Sequence, residues 1–201
     1  MAGTQPDWAV GFEDEVWFSR LAQPSLHAWT TGKNDKNKPL RLCVKQPDRH
    51  DKTAKALACY GLFVPEQIGS PEQMLLRFVA GRPLSAVTCD FLAWTCERLC
   101  RQGKRVLVLV WDNASWHVSQ HVHRWIKRHN RQVKTSGSGV RLLVCPLPSR
   151  SPWLNPIEPK WVQGKRAVVE PQRVLSLEEL AQRLCGYYGC EQGEPLSHKL
   201  D

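Results

Sequence analysis

No stretch of this 201-residue chain stays apolar for the roughly 18 residues that a membrane span needs, so a transmembrane protein is not expected. Its first residues, MAGTQPDWAV, lack the basic start and apolar run of a secretory signal, and a cytoplasmic protein is the expectation. None of its eight cysteines belongs to a C-x-x-C pair, the usual first half of a zinc site. A chain this long needs no disulfide framework, so reduced thiols are expected, with Cys96 and Cys100 on one helix face as core. Acidic residues are the scarcer charge: 19 Asp and Glu face 28 Lys and Arg, a net +9. That excess attracts polyanions and makes nucleic acid the natural partner. With 42% apolar and 23% charged residues, neither disorder nor a fibrous structure is indicated, and the length suits one domain.

Along the chain, residues 9–18 alternate with Val10, Phe12, Asp14 and Val16 on one face, a strand that carries an Asp into an apolar row. Residues 30–55 are rich in Lys, Arg, Asn and Asp and read as a basic hairpin around a short strand, Leu40–Val44. Ala56–Val64 and Gln73–Val79 read as two further antiparallel strands separated by Pro65, Gly69 and Pro71. Ser85–Arg101 has a broad apolar stripe at helical spacing and ends before Gly103. Arg105–Trp111 is a continuous Val and Leu run, the pattern of a central strand buried on both faces. A helix over Ser115–His129 and a buried strand over Arg141–Cys145 complete a βαβ unit, whose crossover is expected to be parallel. Prolines then force an extended loop until Asn155-Pro156 opens a helix, and Ser176 with Glu179 forms a capping box for the last one, to about Cys185. Residues 1–190 are thus expected as one domain and residues 191–201 as a loose polar tail.

Three carboxylates stand out by position: Asp14 at the end of the first strand, Asp112 at the end of the central strand, and Glu158 in the first turn of the helix after the next strand. All three can meet at one sheet edge, where ligands of open α/β sheets gather. Converging carboxylates repel unless cations hold them. Hard oxygen ligands favour magnesium or manganese, and two such ions support phosphodiester chemistry. Each acid also has a bland role: Asp112-Asn113 as a helix cap, Glu158 as a favourable first-turn charge, and Asp14 as a solvated residue. Alternation sends Glu15 to the face opposite Asp14, so its loss is expected to leave activity largely intact. Trp111, Trp116, Trp153 and Trp161 lie near the acids and can stack on unpaired bases, although core packing is the favoured role.

Two longer strings carry a family resemblance. WDNASWH at 111–117 and LPSRSPWLNPIEPKW at 147–161, followed by Lys165-Arg166, resemble the second and third catalytic blocks of mariner-superfamily transposases, most nearly the bacterial insertion-sequence branch. Asp14-Glu15 matches the first block. The resemblance, which spans nearly the whole chain, implies a ribonuclease H-like fold: an α/β protein with a mixed five-stranded sheet, three antiparallel strands then parallel ones, flanked by helices. It implies Asp14, Asp112 and Glu158 as catalytic ligands of two magnesium or manganese ions. Asn113, His117 and Asn155 are expected to support the acids. Lys33, Lys36, Lys38 and Arg41 of the basic hairpin, with Lys160, Lys165 and Arg166, are expected to contact DNA. The separation of Asp112 and Glu158 exceeds the compact spacing of many relatives, and Arg131–Gly139 reads as an added surface loop.

Family members usually begin with a helix-turn-helix region, whereas Asp14 lies almost at the start here. Sequence recognition is therefore expected to come from a separate helix-turn-helix chain or domain, with a dimer assembling on DNA and the protein associated with the bacterial nucleoid. Three functions follow in order: DNA strand cleavage and transfer in transposition; an inactive remnant that binds DNA or a partner; and a structure-specific nuclease or ribonuclease H without transposition.

Overall fold

The structure is a computed structural model that describes residues 5–20, 29–33, 39–41, 50–67, 70–82, 84–149, 151–168 and 173–197. Five strands form one sheet in the order β5-β4-β1-β6-β7: β1 is Trp8–Ser19, β4 Ala56–Val64, β5 Gln73–Val79, β6 Val106–Trp111 and β7 Arg141–Pro146. β1, β4 and β5 pair antiparallel, whereas β1, β6 and β7 pair parallel, as the alternation followed by the β-branched runs led one to expect. β2 (Trp29–Lys33) and β3 (Pro39–Arg41) make a separate antiparallel pair within the basic segment. Among the described residues no helix is long and apolar enough to cross a membrane.

Alternation along β1 divides the core between the two faces of the sheet. Val16 and Phe18 look toward α3 (Ile157–Ala167) and α4 (Leu177–Tyr188), packing with Cys59, Phe63, Trp161 and Leu180. Ala9 looks the other way, where Tyr60, Leu62, Phe91, Leu107, Leu109 and Val122 bury the inner faces of α1 (Ser85–Arg101) and α2 (Gln120–Ser136). α1 has the expected bounds, and α4 opens with the expected reciprocal Ser176–Glu179 capping box.

Four expectations need correction. α2 starts at Gln120 because Ser119 caps it, its hydroxyl accepting from Val122 N at 3.3 Å. Residues 112–119 are therefore a turn and not helix. α2 also runs through Ser136 to a left-handed Gly137, so most of the stretch read as an added loop is two further helical turns. β7 is an edge strand with only Leu142 buried, not a strand covered on both faces. Beyond α4 the chain returns to the sheet: Leu196 is buried, and its backbone N–H donates to Phe78 O at 2.7 Å, so this part of the polar tail is docked.

Candidate active site

Asp14 lies within β1 and not at its end. The parallel pairing of β1 with β6 runs to Phe12 beside Val110, and two more residues along each strand bring Asp14 level with Asp112, just past the end of β6. The antiparallel neighbour of Asp14 is Gly61 on β4. The absence of a side chain there lets the ring of Trp161 lie against the strand: a Cβ on Gly61 would come within 2.2 Å of Trp161 Cη2. Trp161 in turn donates from Nε1 to Asp14 Oδ2 at 2.9 Å. Glu158 precedes Trp161 by three residues on α3, so the two share a helix face. The helix that carries the third acid is thereby tied to the first.

The electrostatics of Asp14 register this convergence. Burial pushes its carboxyl up to about 7, with the charge of Glu158 as the next largest cause, opposed by the Trp161 hydrogen bond and reinforced by Glu15 and Asp112. Asp112 shifts downward, chiefly through its hydrogen bond with His117 and also through the Ala114 N–H. Asp112 and Glu158 line one cavity of about 310 Å³ together with Asn113, Ser149, Ser151 and Asn155. The Asn113 side-chain amide donates to Leu147 O at 2.8 Å and pins the loop that forms the cavity wall. Asn155 is 3% exposed, and its Oδ1 has no hydrogen-bond partner among the described residues.

Glu158 and Asp112, whose charges both act on Asp14, share one cavity with an unsatisfied buried amide oxygen, and the three carboxylates are a hard-oxygen donor set that suits a magnesium or manganese ion. Asp14, Asp112 and Glu158 are the residues that would hold it.

On the opposite face of β1 lies His117, expected beside the acids, together with two partners not expected there, Glu13 and Glu15. His117 is buried beneath the Asp112 turn, stacked on Trp111 with ring centroids 4.6 Å apart. Its Nδ1 lies 2.9 Å from Asp112 Oδ1, and its Nε2 lies 3.1 Å from Glu15 Oε1 and 3.0 Å from Glu13 Oε2. Burial opposes a charge on His117, but the nearby Glu13 charge and the hydrogen bonds to Asp112 and Glu15 outweigh it and shift the imidazole strongly upward. Glu13, fully buried, is pushed up to about 8 by that burial and by Glu15, against the pull of His117. Although Glu13 is close to Nε2, neither of its oxygens has hydrogen-bond geometry to any described partner. Glu15 does face away from Asp14 as expected, and through His117 it is linked to Asp112. The available signal was the EDE run itself, which puts two acids side by side on the face of the strand opposite Asp14.

The other candidates separate by environment. Trp111 and Trp161 are core, as expected, whereas Trp153 is 76% exposed. It sits on a short 3-10 turn, Pro152–Leu154. With Asn155, Glu158, Val162 and Arg166 it borders a second cavity, of about 630 Å³, which shares Asn155 and Glu158 with the first. Lys160 pairs with Glu72 at the surface and lies over the Phe63 ring. Lys165 and Arg166 are in the last turn of α3. Lys33 and Arg41 end up on β2 and β3, while Lys36, Lys38 and most of the predicted Leu40–Val44 strand fall outside the described residues.

This is a mixed-sheet α/β domain with three acids gathered where β6 ends. Residues 79–181 match the DDE superfamily endonuclease family, half of the chain, and the chain belongs to that family. Solved structures share its fold. The Mos1 mariner paired end complex with Mn matches over 92% of this chain and 49% of that one, with a TM-score of 0.63 at 14% identity. The Mos1 transposase paired-end complex with left transposon end matches over 92% and 48%, with a TM-score of 0.58 at 17% identity. The Mos1 transposase catalytic domain with raltegravir and Mn matches over 92% and 72%, with a TM-score of 0.51 at 13% identity. The fold is thus the ribonuclease H-like one of those catalytic domains. The chain spans about half the length of the Mos1 chains in the paired-end complexes. Comparison with curated protein sequences finds no match.

Proposed function

We propose that this chain is the catalytic domain of a mariner-superfamily transposase of the bacterial insertion-sequence branch, cutting DNA strands and transferring the freed ends. The observation that carries this reading is the convergence of Asp14, Asp112 and Glu158, felt in the raised carboxyl of Asp14, within a DDE endonuclease. When bound, two magnesium or manganese ions would supply the charge that promotes attack on a phosphodiester and stabilises the leaving 3′-oxygen. Asp14, fixed by Trp161, and Asp112, fixed by His117, would hold the ions from two neighbouring strands, with Glu158 joining them from α3. Arg166, at the rim with Trp153, faces the DNA backbone. Intact acids on a braced scaffold favour a working enzyme over a remnant. A separate helix-turn-helix chain or domain would supply sequence recognition, with a dimer assembling on nucleoid DNA.

The test is a supercoiled plasmid incubated with the protein, magnesium or manganese, and a labelled duplex bearing a free 3′ end. Nicked circles together with labelled plasmid support the reading. Nicking without joining favours a simple nuclease, and neither product in either metal, even with a helix-turn-helix partner supplied, favours the remnant.

DNA binding itself is expected to depend steeply on salt and hardly on sequence, because lysines and arginines read phosphate. Trp153 adds a stacking face for an unpaired base, worth about 1–3 kcal/mol. Trp153→Ala should therefore weaken single-stranded binding about tenfold and duplex binding little. Equal affinity at low and physiological salt, or a Trp153→Ala variant that binds single strands as wild type does, would contradict this.

A further inference from the structure

We propose that Glu13 is a positioning residue, forming with Glu15 a buried clamp on His117 that fixes the carboxylate of Asp112. The proposal rests on the reading of Asp112 as a metal ligand and deepens it. Asp112 projects from the end of β6 with its side chain 53% exposed, a setting in which a carboxylate ordinarily samples several rotamers. Here its Oδ1 is held twice, by the Ala114 N–H at 2.9 Å and by His117 Nδ1 at 2.9 Å, which leaves Oδ2 free for the cavity.

His117 can do this only if its ring is itself fixed. The stack on Trp111 sets the ring plane, and the two glutamates at Nε2 set its rotation. Both ring nitrogens thus face carboxylates, so both carry a proton and Nδ1 donates to Asp112. Glu13 and Glu15 sit one residue to either side of Asp14, on the other face of the same strand. The EDE tripeptide therefore contributes one acid to the site and, through its reverse face, orients another from a different strand. Glu13 is costly to keep: its carboxyl is fully buried, neither oxygen has a hydrogen-bond partner among the described residues, and its one close polar contact is Oε2 to His117 Nε2 at 3.0 Å. Its return is the position of Asp112.

Glu13, Glu15 and His117 also have ligand atoms all within 4.8 Å of one another, and a metal ion held there is the competing explanation. Against it, the Glu13 and His117 side chains have no solvent exposure, and Nε2 already donates to Glu15. The clamp accounts for the geometry without an ion.

The test uses the full chain with Glu13→Gln, His117→Asn and Asp112→Asn, and measures manganese affinity by calorimetry, melting temperature without metal, and the kcat and KM of nicking. Glu13→Gln keeps the shape but weakens the grip on Nε2. His117→Asn keeps a donor near Asp112 but cannot reach the glutamates. Each should lower manganese affinity and kcat by about 10- to 100-fold, the cost of losing groups that orient a ligand, with the KM for DNA unchanged and the fold intact. If Glu13→Gln does not fold, His117→Asn alone decides. Wild-type manganese affinity and kcat in a folded clamp variant would overturn the proposal, as would one zinc or other ion per purified chain that is lost in Glu13→Gln. If manganese affinity instead survives Asp112→Asn, or wild type binds none, the active-site reading fails and takes the clamp with it.

Discussion

Replacing any one of Asp14, Asp112 or Glu158 by its amide is expected to lower metal-dependent nicking on the order of a thousandfold or more, with DNA affinity nearly unchanged. Groups that hold one catalytic unit lose most of its effect together, so a double amide variant should be scarcely worse than a single one. In Asp112→Asn the side-chain oxygen can still accept from Ala114 and His117, and in Asp14→Asn it can still accept from Trp161. What is lost is charge, not shape. Asp14→Asn should also melt higher than wild type in metal-free buffer at pH 8. The carboxyl of Asp14 is raised in the folded state to about 7, so it favours folding while protonated, below the unfolded value, and that contribution is lost as pH rises through 7. The amide escapes the loss. Nicking assays with thermal melts check both parts, and robust cutting by Asp112→Asn would remove the assignment.

The second large effect is structural. Gly61→Ala should destabilise the protein by about 1–3 kcal/mol, the range for an overpacked core, because the new Cβ would stand 2.2 Å from the buried Trp161 ring. At roughly 2–4 °C per kcal/mol for a chain of this size, several degrees of melting temperature should go. Trp161 cannot retreat without giving up its hydrogen bond to Asp14 and moving the helix that carries Glu158. Activity should therefore fall further than the loss of folded protein explains. Gly186→Ala is the control, with nothing within 4 Å of its added Cβ on an exposed face of α4, and it should be neutral or slightly stabilising. Equal melting of Gly61→Ala and wild type would show that the Trp161 packing is looser than described.

Much of this architecture was legible in the sequence because it rests on local patterns. The stripe of Ser85–Arg101, the capping box at Ser176 and the apolar run before Asp112 each depend on neighbours within a few residues, and each element formed accordingly. What stayed hidden depends on partners far along the chain. Glu13 and Glu15 lie about a hundred residues from His117, and period-two alternation names the face of a side chain without naming what it meets there. The apolar spacing of Val118, Val122 and Ile126 reads as helix from Ser115 onward, whereas Asp112 and Ser119 take the backbone N–H groups of Ala114 and Val122 and hold a turn open first. β7 is as apolar as a central strand, but its place at the sheet edge leaves Leu143 and Val144 partly exposed. Trp153, for which core packing was the favoured role, lies in the proline-rich loop, and the 3-10 turn there leaves it exposed.

The most direct measurement is anomalous diffraction from a crystal of the wild-type chain soaked in manganese. Manganese peaks bounded by Asp14, Asp112 and Glu158, absent from an Asp112→Asn crystal, are the expected result. A manganese-soaked crystal with no peak at these three acids, or with its peak between Glu13, Glu15 and His117, would contradict it.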